Sequence, residues 1–296
     1  MTSGARFLLL GMAVGAGGPA SPQLSGGTTG VATAPVTRAR DSAVMALVRE
    51  TIVREVTAAN AGGHIMYRRT SVSPQGSEAR DIIETRDWTI GRLVRMDGAS
   101  LTPAREREEI DRLAALRSDS AALRALAASL YRDEERVRRI MVVMPDAFEF
   151  TLAGRDTGVT GRAGLRLAFR PRDGFVPPSR ETALLTGLEG TMVIDTVAHR
   201  VTGIEATLTR DVSFGWGLLG RLNRGGHAVI RQRNVAGGRW AITTLQLHFD
   251  GNAFFVRRIR IRTDATSADF VPMDDRLTLE QGIARLLASG RPAGAR

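Results

Sequence analysis

Gly215-Trp216-Gly217-Leu218-Leu219-Gly220 has the GxGxxG spacing of a loop that cradles a dinucleotide pyrophosphate, and it follows a segment of strand character. That chemistry needs a helix starting at the loop, whose free N–H groups meet the phosphates, and a carboxylate about 20 residues on for the ribose. Asn223-Arg224-Gly225-Gly226 breaks any such helix, so the stretch reads as a Gly/Trp-rich connection between two strands. His64, His199, His227 and His248 have no close partners among themselves in sequence and form no HExxH, which argues against a metal site. There is no GxSxG elbow, and without a single lysine in the chain no P-loop can form. Glu149, Asp195 and Glu205 fall at strand positions where facing solvent is the default, and spacing alone assigns no carboxylate pair for hydrolysis. No residue is named as catalytic, no cofactor is implied, and the expectation is a protein without enzymatic activity.

Two other patterns remain. In Arg162–Arg170, Ala163, Leu165, Leu167 and Phe169 fall on one side of a pleated strand and Arg162, Arg166 and Arg170 on the other. The apolar side continues on later strands through Ile204, Leu208, Leu245, Leu247, Phe249, Ile259 and Ile261. These ten, counted from Leu165, line either a cavity, in which they would touch an apolar ligand, or a core. Opposite them, Arg258, Arg260 and Arg262, joined by Arg231, Arg233 and Arg257, make a basic face. It is either the wet side of the sheet or a contact for anionic headgroups or glycan phosphates.

The elements that must position these faces follow from periodicity. Val44, Leu47, Val48, Thr51, Ile52 and Val56 recur at helical spacing over Asp41–Ala59, and Asn60-Ala61-Gly62-Gly63 stops the helix. His64–Val72, Arg80–Ile90 and Arg92–Met96 are extended, the first two joined through Ser73-Pro74-Gln75-Gly76. Thr102 and Pro103 start a charged helical region that runs to Arg139 and splits at Ser118-Asp119-Ser120. From Phe148 strands take over, spaced as an antiparallel meander that ends at Thr263, with one short helix capped by Ser179. A weak helix, Leu277–Leu287, stands in a tail spanning 271–296.

The 296 residues are long enough to bury a proper core, placed in one domain over 41–270. Apolar residues at 43% and charged ones at 24% suit a folded globular chain. Arginine alone carries the cationic side of the +10 net charge. The absence of cysteine excludes disulfides, thiolate metal sites, a cysteine nucleophile and a lipidated N-terminal Cys. Met1–Arg6 has one positive charge, Phe7–Ala16 is apolar, and Gly18-Pro19-Ala20 puts small residues before a cut at Ser21. This predicts a secretory signal peptide, 1–20, a flexible leader, 21–40, and a periplasmic location. Export, together with few aromatics among the arginines, disfavours nucleic acid as a partner.

Leu165–Ser179 (LRLAFRPRDGFVPPS), Thr191–Asp195 and Val212–Asn223 (VSFGWGLLGRLN), in that element order, resemble the periplasmic lipoprotein-carrier (LolA-like) superfamily and its outer-membrane lipoprotein-sorting-like members. The resemblance spans roughly Asp41 to Phe270. It implies an α+β fold in which a curved antiparallel sheet, an unclosed half-barrel, carries helices that lid its concave face. It also implies an apolar cavity that takes up lipid or lipoprotein acyl chains, with the ten apolar residues as its wall. The insertion 102–139 has no place in that pattern. Two other readings stay open: an envelope adaptor docking an anionic partner, a membrane surface or an outer-membrane protein, through Arg258, Arg260 and Arg262, and a hydrolase, which would need two facing carboxylates.

Overall fold

Val44, Val48 and Ile52 recur every fourth residue, and the helix that sets them on one stripe, α1, runs Pro35–Ala58. The computed structural model describes residues 35–58, 63–117, 119–156, 163–214, 220–235, 238–253 and 257–289. The expected signal peptide, most of the leader and the last residues of the tail lie outside them, as do 215–219 of the GxGxxG segment. No helix among the described residues is long and apolar enough to cross a membrane.

After α1 come β1 (Ile65–Ser73), β2 (Gly76–Glu84), β3 (Thr89–Met96) and the short β4 (Ala99–Ser100). Two helices follow, α2 (Pro103–Leu116) and α3 (Ser120–Ala147). The meander then runs β5 (Phe148–Asp156), β6 (Gly164–Pro171), a 3-10 helix (Glu181–Gly187), β7 (Leu188–Asp195) and β8 (Arg200–Leu208). It continues through β9 (Val212–Phe214), β10 (Gly220–Leu222), β11 (His227–Asn234), β12 (Trp240–Ala253) and β13 (Arg257–Pro272), and α4 (Leu279–Ser289) ends it. The sheet order is β4-β3-β2-β1-β13-β12-β11-β8-β7-β6-β5, with β10 added on β12 and β9 on β10. Pairing is antiparallel throughout, and the curved sheet stays open between β4 and β5.

Register decides which side chains share a face. The row Leu167, Met192, Ile204, Ile230, Leu245 and Ala265 crosses six strands from β6 to β13, and all six pack in or against the main core. The stripe of α1 and that of α3 (Val137, Ile140, Met144) close over this face. β7 and β8 approach closely at Gly190, where an added Cβ would lie 1.9 Å from the Glu205 carbonyl oxygen. At the other end of the sheet α2 and α4 bury Leu113, Ile283 and Leu286 against Ile83 and Ile90.

Several boundaries differ from the sequence expectation. The expected leader ends earlier, because α1 starts at Pro35, where the fixed φ of proline suits a first helical position and no breaker follows. Asp119 splits the inserted helices by accepting from the N–H groups of Ala121 and Ala122. α3 then continues past Arg139, and past Pro145, because Ile140, Met144 and Ala147 extend its buried stripe and proline in the last turn removes one bond only. The expected strand 80–90 is broken at Thr85, whose hydroxyl accepts from the N–H groups of Asp87 and Trp88 and turns the chain without glycine or proline. β13 runs on to Pro272, into the expected tail, through a bulge at Asp269, which adopts φ 55°.

Candidate functional site

The ten apolar residues come together on one face. Leu167, Phe169, Leu208, Leu245, Leu247, Phe249 and Ile261 are buried, and Leu165, Ile204 and Ile259 are partly buried against the same cluster. At the β5–β6 end Phe148 and Phe169 lie 4.8 Å apart between ring centroids, with Phe150 6.1 Å from each. α1 and α3 fill the space in front of this face, so in this arrangement the ten are packed by the protein's own side chains. Clefts of about 370, 280 and 270 Å³ elsewhere are lined by none of them.

The contact that fixes α1 to the sheet is polar. Glu55, buried on the helix, accepts both guanidinium arms of Arg200 at 2.9 and 2.8 Å, the Val201 N–H at 2.8 Å and the Gln232 amide at 3.0 Å. Arg200 in turn lies 5.3 Å over the Trp240 ring. A second buried pair, Glu84 with Arg239, stands on Tyr67, whose hydroxyl donates to Glu84. The Thr51 hydroxyl, also on α1 and buried, and two Arg239 nitrogens find no hydrogen-bond partner among the described residues. Sequence reasoning missed this node although a signal existed: Val44, Val48, Thr51, Ile52 and Glu55 keep helical spacing, which puts a carboxylate on the apolar stripe.

The basic face is real but partly neutralised. Arg258 and Arg260 are exposed and Arg262 half-buried, and Asp250 pairs with both Arg260, at 3.7 Å, and Arg262, at 2.5 Å. Arg231 pairs with Glu205, while Arg233 is exposed. Of the scattered acids, Glu149 pairs with Arg170. Asp195 departs from expectation: it is 1% exposed and accepts from the N–H groups of Val197 and Ala198, ordering the β7–β8 turn. His64 bonds the Asp274 carbonyl, His199 pairs with Glu50 and His248 with Asp264, while His227 packs on His248 at 4.6 Å between centroids. No cluster of three metal-ligating side chains occurs among the described residues. Of the GxGxxG segment only Gly220 is described, and it pairs with Phe214 in the antiparallel β9–β10 ladder. The arrangement is an apolar face packed under two helices, with arginines on the outside.

No family model matches the sequence, and no curated protein matches it either. Among solved structures, the chain is similar to an outer membrane lipoprotein-sorting protein domain from Vibrio parahaemolyticus, at 13% identity and a TM-score of 0.30, covering 80% of this chain and 97% of that one. It is also similar to a DUF1329 family protein from Desulfovibrio piger, at 10% identity and a TM-score of 0.29, covering 81% and 95%. Overlap at that level adds no argument to the sheet order and register above, on which the description of an open α+β half-barrel rests.

Proposed function

We propose that the protein is a periplasmic carrier that takes an acyl chain of a lipid or lipoprotein onto the concave face, beneath α1 and α3, and hands it on without covalent chemistry. The observation that supports this is an apolar row across six strands covered by helices alone, attached by side chains instead of by a hydrogen-bonded ladder. Displacing α1 separates the Glu55–Arg200 pair, and both partners can then meet water, while the buried stripe of α1 is uncovered. An acyl chain on the vacated surface restores apolar burial at about 0.8 kcal/mol per methylene. The periplasmic location is carried by the N-terminal Phe7–Ala16 run and the small residues at Gly18 and Ala20.

Native mass spectrometry of protein purified from the cell envelope tests the reading. The expected result is a population carrying lipid-sized adducts that disappear after delipidation and return with added fatty acid. Protein that leaves the envelope free of lipid and takes up no fatty acid would remove it.

A further inference from the structure

We infer that the end of the sheet formed by β10, β12 and β13 docks the protein onto an anionic phospholipid bilayer. Arg221 on β10 pairs in register with Asn252 on β12, and Asn252 with Arg258 on β13, so the two arginines stand in one row across three strands. They point away from the core, because the neighbouring row, Leu222, Gly251 and Ile259, is the one that packs into it. Arg260 and Arg262 continue the same face, Arg224 is exposed in the turn after β10, and Arg257, of the opposite parity, is exposed at the strand tip where β13 begins.

Those six arginines meet two carboxylates. Asp211 pairs with Arg221 and accepts the Arg224 N–H, and Asp250 is shared by Arg260 and Arg262. The next acid along the face, Asp264, pairs with His248. Arg257 and Arg258 have no ion pair among the described residues, so the positive surplus concentrates at the strand tip. A guanidinium free of a carboxylate keeps its full charge and its planar set of donors, which matches a phosphodiester oxygen pair. A row of arginines across three strands matches the phosphodiesters that an anionic bilayer presents side by side. The docking surface itself is the arginine cluster.

Sedimentation of the full chain with vesicles tests this, using phosphatidylglycerol vesicles against phosphatidylcholine vesicles at about 0.05 M and about 0.5 M salt. The expected result is binding to the anionic vesicles alone, lost at high salt. Arg257→Gln with Arg258→Gln should weaken it roughly 25-fold, about fivefold per arginine, with an unchanged melting temperature. Arg138→Gln, an exposed residue of α3, should bind like the parent. No binding to phosphatidylglycerol, equal binding to phosphatidylcholine, or a double variant that binds like the parent would each overturn the inference. The readout does not depend on acyl uptake: vesicle binding by a protein that takes up no fatty acid would keep the docking surface and discard the carrier reading.

Discussion

Glu55 is the residue on which the covering of the concave face turns, since one buried carboxylate holds an arginine, a backbone N–H and an amide from two strands and packs among apolar neighbours. Removing it leaves Arg200 without its counter-charge at 12% side-chain exposure and the Val201 N–H unpaired, which is the expensive way to break a buried pair. Glu55→Ala should therefore lower unfolding stability by about 3–5 kcal/mol in a urea titration. A loss below about 1 kcal/mol would show that α1 is held by apolar packing alone. The helix stripe around Glu55 was legible in the sequence, because Val44, Val48 and Ile52 repeat every fourth residue. Its acceptor role was not, because Arg200 and Gln232 lie 145 and 177 residues away and no local rule pairs them.

At the scale of elements, the inserted helix α2 and the last helix α4 are fastened to β3. Arg92, buried on β3, donates to the Leu286 and Leu287 carbonyls at the end of α4 and to Glu106 of α2 at 2.9 Å. Glu109 of α2 accepts the Leu93 N–H of β3 at 2.7 Å and both donor arms of Arg112 at 2.7 Å. Burial pushes the Glu109 carboxyl up, but the Arg112 guanidinium and the Leu93 N–H outweigh it and hold the group below its ordinary value. A carboxyl lowered in the folded state adds stability above its unfolded pKa, about 4.3, and loses it as pH falls through the lower folded value. Glu109→Gln should accordingly cost about 1–3 kcal/mol at pH 7, and the difference from the parent in urea titrations should shrink below about pH 4. A difference that stays constant down to pH 3 would mean that the charge on Glu109 contributes nothing.

The same elements show what sequence reading reaches and where it stops. Strands of regular alternation, such as Leu165–Phe169 and Leu245–Phe249, were legible because each buries one face only. The second half of β13, TDATSADFVP, was not: it pairs with β1 through small and polar residues and a bulge, and its place in the sheet comes from the partner strand. The split was legible at Ser118-Asp119-Ser120, where Asp119 proves to be the cap, whereas the turn at Thr85 has no glycine or proline to mark it.

For the whole molecule, one open sheet serves two surfaces: an apolar inside covered by α1 and α3, and an outside whose positive surplus gathers at the β10–β12–β13 end. The ten residues on the inside were named from alternation alone, and register brings them together; that helices fill the space before them could not be read from strands, because filling depends on where α1 and α3 cross the sheet. A carrier of this kind must let an acyl chain enter that space. The most direct measurement is photolabelling with a fatty acid bearing a diazirine on its chain, followed by peptide mapping. The expected adducts fall on Leu165–Phe169, Leu245–Phe249 and the facing stripes of α1 and α3, and are competed away by unlabelled fatty acid. Adducts confined to the outer face, or none that unlabelled fatty acid competes with, would contradict it.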